Sequence, residues 1–337
     1  MSSAIRQPQS APPSLTLLKQ LVQADLARVN DVILHHVQSE IPLIRELSSH
    51  LIQAGGKRVR PSLTLASAML CDYEGTRHVQ LAACVEFIHT ATLLHDDVVD
   101  ASDLRRGEAT ANAVWGNKSS VLVGDFLLSR AFQLMVADGS LEVLRILSNA
   151  AAVIAAGEVK QLVVSHDLAI EKHTYLEVIE AKTAELFAAA AELGAVVAGR
   201  PSSEQSALRN YGNALGIAFQ LIDDALDYQA DATLLGKAIG DDFREGKVTL
   251  PVMLAYQQGT PEERAFWEGC LEGEGALSSN DLLHAKSLLE RSGALAATYR
   301  EAEHYACTAR EALSAFAPSS AKEALLELVD FCVARAY

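Results

Sequence analysis

The sequence predicts one all-α domain, and three observations support this fold class. Half of the 337 residues are hydrophobic, yet only 6% are aromatic. Ala and Leu dominate and strand-like runs of β-branched residues are scarce, a composition that favours helices. Apolar positions also recur at the three- and four-residue spacing of one helix face. No Pro/Gly/Ser-rich linker is long enough to divide the chain into two domains.

The elements follow in order from caps, periodicity and breakers. Residues 1–13 are rich in Ser, Pro and Gln, which predicts a disordered tail before a helical domain over 14–337. Ser14 is expected to cap a first helix that runs to about Val37, and Pro42 opens a second. Further helices are predicted over 77–100, 118–137, 141–165, 174–198 and 204–229, and from 249 onward with breaks near 258–261, 272–280 and 317–319. Loops are predicted at 55–61, 101–116 and 230–248.

Charge and cysteine usage exclude several classes of protein. The net charge of −15 argues against nucleic-acid binding and against attraction to anionic membranes. The five cysteines are far apart and form no CxxC motif, as expected of reduced cysteines in a cytoplasmic protein. The N-terminus has no long apolar stretch of a signal peptide, and no uninterrupted apolar run reaches the roughly 18–20 residues of a spanning helix.

Two acidic clusters with the same spacing carry the functional signal. They are Asp96-Asp97-Val98-Val99-Asp100 and Asp223-Asp224-Ala225-Leu226-Asp227. Residues i and i+4 share a helix face, so each cluster projects two carboxylates in parallel with a third beside them. Such carboxylates beside apolar stripes repel one another and lose hydration, unless cations neutralise them. Hard oxygen ligands without a nearby thiolate suit Mg²⁺, which usually binds together with substrate phosphates. The pair of clusters therefore predicts a diphosphate substrate.

Basic residues accompany the acidic clusters in the loops expected near them. Arg binds phosphate with two parallel hydrogen bonds, while Lys acts as a point charge, so these residues are candidates for binding a diphosphate. They are Lys57, Arg58 and Arg60 after two glycines, Arg105 and Arg106 after the first cluster, and Lys237 and Lys247 after the second.

The sequence resembles the trans-polyprenyl diphosphate synthases, and is most similar to the bacterial octaprenyl type. The segments that carry the resemblance are GGKRVRP (55–61), EFIHTATLLHDDVVDASDLRRG (86–107), GDFLLSRAF (124–132), KTAELF (182–187), FQLIDDALDYQAD (219–231) and LGKAIGDDFREGKVTLP (235–251). The resemblance extends from about residue 15 to the end. It implies a bundle of antiparallel helices around a deep central cavity, the isoprenoid synthase type, working as a homodimer.

The resemblance also implies an activity and its substrates. The enzyme would condense isopentenyl diphosphate successively with an allylic diphosphate, such as farnesyl diphosphate, to a product near C40 for quinone side chains. Up to three Mg²⁺ ions would be needed in each active site. Membrane contact would be at most peripheral, for product release.

The resemblance further implies a role for each site residue. Asp96, Asp100 and Asp223 would hold the Mg²⁺ ions, with Asp97, Asp224 and Asp227 assisting. Arg105, Lys182 and Lys237 would bind the allylic diphosphate, with Lys247 close by. Lys57, Arg60, His89 and Arg106 would bind isopentenyl diphosphate. Thr183 and Gln220 would lie near the reacting carbons or the leaving group.

Two small residues upstream of the first cluster predict a long product. Ala91 and Thr92 lie about 6–7.5 Å further along the helix from Asp96, below the metals. Neither is aromatic, whereas bulky residues there resemble the floor of short-chain enzymes. Met135 on the following helix is a candidate for a deeper floor. Glu185 departs from the basic or neutral residue expected after Lys182-Thr183, and is expected to pair with Lys182 or to face solvent.

Four other functions compete with this interpretation. A di-iron carboxylate bundle is suggested by Glu86-x-x-His89 and Glu301-x-x-His304. A terpene cyclase shares the fold, but it usually lacks the second DDxxD motif and GGKR. A shorter-chain (C15–C20) prenyl synthase remains an alternative. A non-catalytic subunit would be expected to have damaged acidic motifs, and both are intact here.

Overall fold

The computed structural model describes residues 14–53, 57–105, 107–229, 240–273 and 277–334. The predicted tail at 1–13 lies outside these residues. The fold class predicted from composition and periodicity is confirmed, since the described residues are almost entirely helical.

The first part of the chain forms seven helices and one small hairpin. The helices are α1 (Thr16–His36), α2 (Pro42–Gln53), α3 (Val59–Leu70), α4 (Arg77–Val99), α5 (Ala111–Trp115), α6 (Asn117–Asp138) and α7 (Leu141–Val164). Strands β1 (Leu104–Arg105) and β2 (Glu108–Ala109) pair antiparallel in the segment expected to be a loop.

The second part continues with helices that pack on the first. They are α8 (Lys172–Ile179), a π-helical turn (Glu180–Ala184), α9 (Glu185–Val197), α10 (Ser202–Gln229), α11 (Asp241–Arg244), α12 (Leu250–Gln258), α13 (Pro261–Leu271), α14 (Ser279–Arg291), α15 (Ala294–Ala312), a 3₁₀ turn (Leu313–Ala315) and α16 (Ser320–Ala334).

Two boundaries differ from those predicted. The N-cap of α1 is Leu15 rather than Ser14, whose hydroxyl instead contacts that of Thr16. Helix α3 begins at Val59 and not after the loop at 55–61, because proline is accepted in a first helical turn and Pro61 occupies that turn. The long helix α4 ends at Val99, close to its predicted end.

The core is formed by helices with little surface of their own. Helix α9 is buried along its whole length, between α3 on one side and α10 on the other. Helices α9 and α10 approach closely at Gly212 of α10, because a Cβ there would lie 2.3 Å from the carbonyl oxygen of Phe187 on α9. Helix α4 packs along α6, and α10 packs along α9 and α15. This arrangement brings the two acidic clusters, on α4 and α10, to the same cavity.

Helices α6 and α7 are the most apolar of the exposed elements. By length and composition both could cross a membrane, although core helices of soluble proteins pass the same test. Their exposed apolar side chains are Val121, Leu122, Phe132 and Val136 on α6, and Leu141, Val159, Leu162 and Val163 on α7. We call these eight residues the α6–α7 apolar face.

Candidate active site

The site is a cavity of about 380 Å³ between α4, α7, α8, the π-helical turn, α10 and the segment around α11. Its charged lining is mostly acidic. The carboxylates are Asp96, Asp100, Glu158, Asp223, Asp224, Asp227 and Asp242, and the cations are Arg60, Arg105, Lys182 and Lys247.

The aspartates of the first acidic cluster lie in two different environments. Asp96 and Asp100 line the cavity, as their shared helix face predicts. Asp97 instead points behind α4, where it is buried and accepts from Arg105 Nε at 2.8 Å and Nη2 at 2.6 Å. Arg105 itself reaches the cavity. Asp97 therefore holds a cationic side chain in place and does not line the cavity.

In the second cluster all three aspartates line the cavity, but their partners differ. The backbone N–H of Asp242 donates to Asp227 Oδ2 at 3.2 Å. Asp224 is almost fully buried, and both of its oxygens accept hydrogen bonds, from Gln220 Nε2 at 2.7 Å and from the Tyr175 hydroxyl. Burial raises the pKa of Asp224 to about 7, and Asp242 acts in the same direction.

Lys182 bridges the first cluster and α7. Its Nζ lies 2.6 Å from Glu158 Oε2 and 3.9 Å from Asp96 Oδ2. Burial raises the pKa of both carboxyl groups, while the ammonium of Lys182 opposes the rise. The lysine thus lies between two carboxylates in the position where a bound phosphate can compete for it.

Lys247 joins the first cluster to the segment that follows α10. Its Nζ lies 3.0 Å from Asp100 Oδ2 and 2.5 Å from Glu245 Oε2. Burial lowers the pKa of Lys247, but Asp242, Asp100 and Glu245 outweigh burial and raise the pKa overall. Lys247 is therefore a fixed positive charge at this side of the cavity.

Thr183 and Gln220 meet at the wall of the cavity. The Thr183 hydroxyl donates to Gln220 Oε1 at 2.7 Å. Thr183 lies in the π-helical turn, which widens the helix by one residue and changes the direction of its side chains. Gly216 lets α10 approach this turn, since a Cβ there would lie 2.5 Å from Ala184 Cα.

Arg60 of α3 and His89 of α4 line the cavity, whereas Lys57, two residues before α3, is not part of this lining. Arg60 Nη1 lies 3.2 Å from His89 Nε2, and its guanidinium stacks 4.5 Å from the Phe187 ring centroid. Lys57 Nζ lies 4.6 Å from the centroid of the Phe331 ring on α16.

The carboxylate oxygens of the cavity fit Mg²⁺ that binds together with a diphosphate. Every acidic group in the cavity is a hard oxygen ligand, and Glu158 Oε1 is buried without accepting a hydrogen bond. Among the described residues, no three His, Cys, Asp or Glu side chains are grouped closely enough to hold a metal by themselves. Mg²⁺ typically takes one or two carboxylates and completes its shell with water and phosphate, so these carboxylates fit an ion that arrives with a diphosphate.

Two expected site residues fall outside the described part of the chain, and two others are buried away from the cavity lining. Arg106 and Lys237 fall outside the described residues. Thr92 lines the cavity, but Ala91 and Met135 are 1% and 0% exposed and pack in the core, where neither lines the cavity. Van der Waals packing of α4 against α6 closes the wall at Ala91.

The expectation for Glu185 was wrong. Glu185 is buried and accepts from Arg209 Nη2 at 2.8 and 2.9 Å, so it neither pairs with Lys182 nor faces solvent. Arg209 also bonds Glu192 at 3.0 Å. The burial is tolerated because the guanidinium serves both carboxylates.

The two ExxH pairs do not form a di-iron site. Glu86 pairs with Arg58, and Glu301 pairs with Lys172 at 2.8 Å. Each glutamate is thus paired with a basic side chain, and the two basic partners lie in different parts of the fold.

Reasoning from the sequence missed three residues that shape the site. Glu158 and Gln161, one helical turn apart on α7, line the cavity, as does Tyr175 on α8. The spacing of Glu158 and Gln161 on one helix face was a usable signal. Nothing local in the sequence singles out Tyr175.

Comparisons with known proteins agree with this geometry. A family model described as polyprenyl synthetase matches residues 41–289. The chain is 46% identical to the octaprenyl diphosphate synthase of Escherichia coli (strain K12) over 323 residues, which cover 96% of this chain and 99% of that protein.

Two solved structures are also close to this fold. A polyprenyl synthase from Caulobacter crescentus CB15, complexed with calcium and isoprenyl diphosphate, matches with a TM-score of 0.94 and 51% identity, covering 97% of this chain and 100% of that one. A decaprenyl diphosphate synthase from Rhodobacter capsulatus matches with a TM-score of 0.91 and 49% identity, covering 96% and 100%. The chain belongs to the polyprenyl synthetase family and has the all-α isoprenoid synthase fold, as its motifs predicted.

Proposed function

We propose that the protein is a long-chain trans-polyprenyl diphosphate synthase. It extends an allylic diphosphate, farnesyl diphosphate, by successive condensation with isopentenyl diphosphate to a product near C40, used for quinone side chains. The similarity to the octaprenyl enzyme over nearly the whole chain supports this product class.

The observation that carries the proposal is the charge of the cavity. Seven carboxylates and four cations line it, so without divalent metal the site repels a diphosphate. Asp96, Asp100 and Asp223 would hold up to three Mg²⁺ ions. When bound, these ions neutralise the carboxylates and stabilise the negative charge of the departing diphosphate.

Lys182, Lys247 and Arg105 form the cationic part of the allylic site, together with Lys237. Each described member is held by a carboxylate, so its charge is positioned before substrate arrives. As the allylic C–O bond breaks, its electron pair leaves with the diphosphate, and preorganised cations stabilise that growing charge without reorganising.

Lys57, Arg60 and His89 form the isopentenyl diphosphate site, together with Arg106. The contact of Arg60 with His89 supports a shared role for these two side chains, since both line the cavity. Holding the second substrate there directs its double bond at the allylic carbon and makes the reaction effectively intramolecular.

The remaining steps complete the condensation. The double bond attacks the allylic cation to form a new C–C bond, and loss of a proton to the released diphosphate regenerates an alkene. The product is an allylic diphosphate one isoprene unit longer, which can re-enter the cycle. Apolar lining from Val178, Ile179 and Phe219 excludes the water that would trap the cation.

The α6–α7 apolar face supports a homodimer. Eight large apolar side chains are exposed on two adjacent helices, which is more than isolated surface residues explain. A second copy of this chain can cover that face on both partners. Light scattering should give twice the monomer mass, and Leu122→Glu with Val136→Glu should yield monomers.

Incorporation of labelled isopentenyl diphosphate tests the activity. Purified enzyme with farnesyl diphosphate should form labelled lipid with Mg²⁺ and none with excess EDTA. Asp223→Asn should lower kcat by about a hundredfold or more, since it removes an interaction that is strongest as the diphosphate leaves. Asp31→Asn, on the exposed face of α1, is the matched control. Full turnover by Asp223→Asn would refute the assignment.

A further inference from the structure

Four side chains form a hydrogen-bonded chain at the wall of the cavity. The Tyr175 hydroxyl and Gln220 Nε2 donate to the two oxygens of Asp224, the latter at 2.7 Å. Gln220 Oε1 in turn accepts from Thr183 at 2.7 Å. The chain links α8, α10 and the π-helical turn, and Tyr175 lies outside both acidic clusters and the Lys182-Thr183 pair.

The chain has a fixed direction. Both oxygens of Asp224 accept hydrogen bonds, and the Gln220 amide presents its nitrogen to Asp224 and its oxygen to Thr183. Thr183 must then donate, which leaves its lone pairs for whatever occupies the cavity. The orientation of both Gln220 and Thr183 therefore depends on where Asp224 is held.

Tyr175 is what holds the second oxygen of Asp224. The residue is 4% exposed, and its hydroxyl donates to the Asp224 oxygen that Gln220 does not bind. Without the hydroxyl, the carboxylate would be free to rotate toward Gln220 or toward the cavity. Leaving a buried acceptor without its donor costs more free energy than the hydrogen bond contributed, and rotation of the carboxylate would relieve that cost.

We propose that Tyr175 is a positioning residue for prenyl transfer: through Asp224 it sets the orientation of the Gln220–Thr183 pair at the reacting carbon. The inference rests on the proposed function. It also gives Asp224 a role distinct from that of Asp223 and Asp227, because both of its oxygens are already engaged.

The test is Tyr175→Phe, which removes one hydroxyl and keeps the ring. We expect kcat to fall about tenfold or more, as for loss of a hydrogen bond to a charged group. Both KM values should stay within about twofold, since the diphosphate-binding cations are untouched. Tyr211→Phe is the matched control: its hydroxyl is equally buried in α10 but donates to the Leu325 carbonyl at 2.8 Å, far from the cavity. That variant should lose thermal stability and keep its kcat.

A double mutant separates positioning from general damage. If Tyr175 acts through Gln220, then Tyr175→Phe should change kcat little in the Gln220→Ala background. Additive losses, an unchanged kcat in Tyr175→Phe, or a rise in KM alone would each overturn the inference while leaving the proposed function standing. An inactive wild-type enzyme would instead refute the proposed function. Thermal denaturation of each variant confirms that it is folded.

Discussion

Lys247 contacts Asp100 at 3.0 Å, although 147 residues separate them in the chain. The contact joins the segment after the second acidic cluster to the last carboxylate of the first. Both acidic clusters therefore belong to one site, and a cation is already part of it.

Removing the positive charge of Lys247 should selectively weaken binding of the allylic substrate. Lys247→Met should raise the KM for farnesyl diphosphate about tenfold or more, because one charge-assisted contact is lost and Asp100 and Glu245 lose their counter-charge. Steady-state kinetics with each substrate varied in turn measure the effect. The KM for isopentenyl diphosphate should stay within about twofold, and Lys19→Met on the exposed face of α1 should change neither constant. Equal rises in both constants would contradict two separate diphosphate sites.

The aromatic ring beneath Lys57 should contribute to binding of the other substrate. Phe331→Leu removes the face on which the Lys57 ammonium rests, so the side chain samples more conformations. We expect the KM for isopentenyl diphosphate to rise about threefold, with kcat and the allylic KM unchanged. Phe331→Trp keeps an aromatic face and should behave as the wild type. A loss shared equally by the Leu and Trp variants would indicate simple damage to α16.

Product length should respond to Thr92 and not to Ala91. Thr92 lines the cavity on the helix that carries the first cluster, so Thr92→Phe places a ring in the path of the growing chain. Shorter products, of about three to four isoprene units, should replace the long ones, because the ring would lie only about 6 Å along the helix from Asp96. Mass analysis of dephosphorylated products measures this, with Thr92→Ala as the control.

The neighbouring substitution should act on stability. Ala91 is 1% exposed within the core, so the ring of Ala91→Phe should overpack the core. This should lower the free energy of unfolding by about 1–3 kcal/mol and lower the melting temperature. Shorter products from a stable Ala91→Phe enzyme would show that the chain runs between α4 and α6 instead.

Binding of Mg²⁺ with inorganic diphosphate should release protons. Burial raises the pKa of Asp224 to about 7, so near pH 6.5 this group of the metal-free site holds a proton that a free carboxyl group would have lost. Burial also raises the pKa values of Asp96 and Glu158. Bound cations favour the ionised form of each carboxyl group and so expel protons. Calorimetry in two buffers of different ionisation enthalpy counts the protons, and affinity should increase from about pH 6 to pH 8.

The same groups should make the metal-free protein less stable as pH rises. A carboxyl group whose pKa is raised in the folded protein binds more protons folded than unfolded. The free energy of unfolding contributed by Asp224 should therefore fall as the pH rises from about 4, near its pKa in the unfolded chain, to about 7, its pKa in the folded protein. Melting temperatures that rise across this interval in the absence of metal would contradict these pKa directions.

Local spacing predicted the parts of the site that a helix determines by itself. The faces carrying Asp96 with Asp100, and Gln220 with Asp223, follow from 3.6 residues per turn. Spacing could not show which neighbour binds the middle aspartate of each cluster. Arg105 binds Asp97, which does not line the cavity, and Tyr175 binds Asp224 at the cavity wall.

Long-range pairing explains the other differences. Glu185 was expected to pair within its own turn, but its partner Arg209 is 24 residues away on the helix packed against it. Glu158 reaches Lys182 from α7 in the same manner. A periodic pattern states which face of a helix is buried, whereas the partner on that face is decided by which helices pack together.

Sizing the products made from farnesyl and isopentenyl diphosphates with Mg²⁺ tests the central claim most directly. The products, dephosphorylated and resolved by mass, should be dominated by chains of about eight isoprene units, with intermediates appearing in order of length during the first turnovers. A distribution that stops at three or four units would contradict the long-chain assignment. The absence of any isoprenoid product, or tight binding of iron in place of Mg²⁺-dependent turnover, would contradict the prenyltransferase account itself.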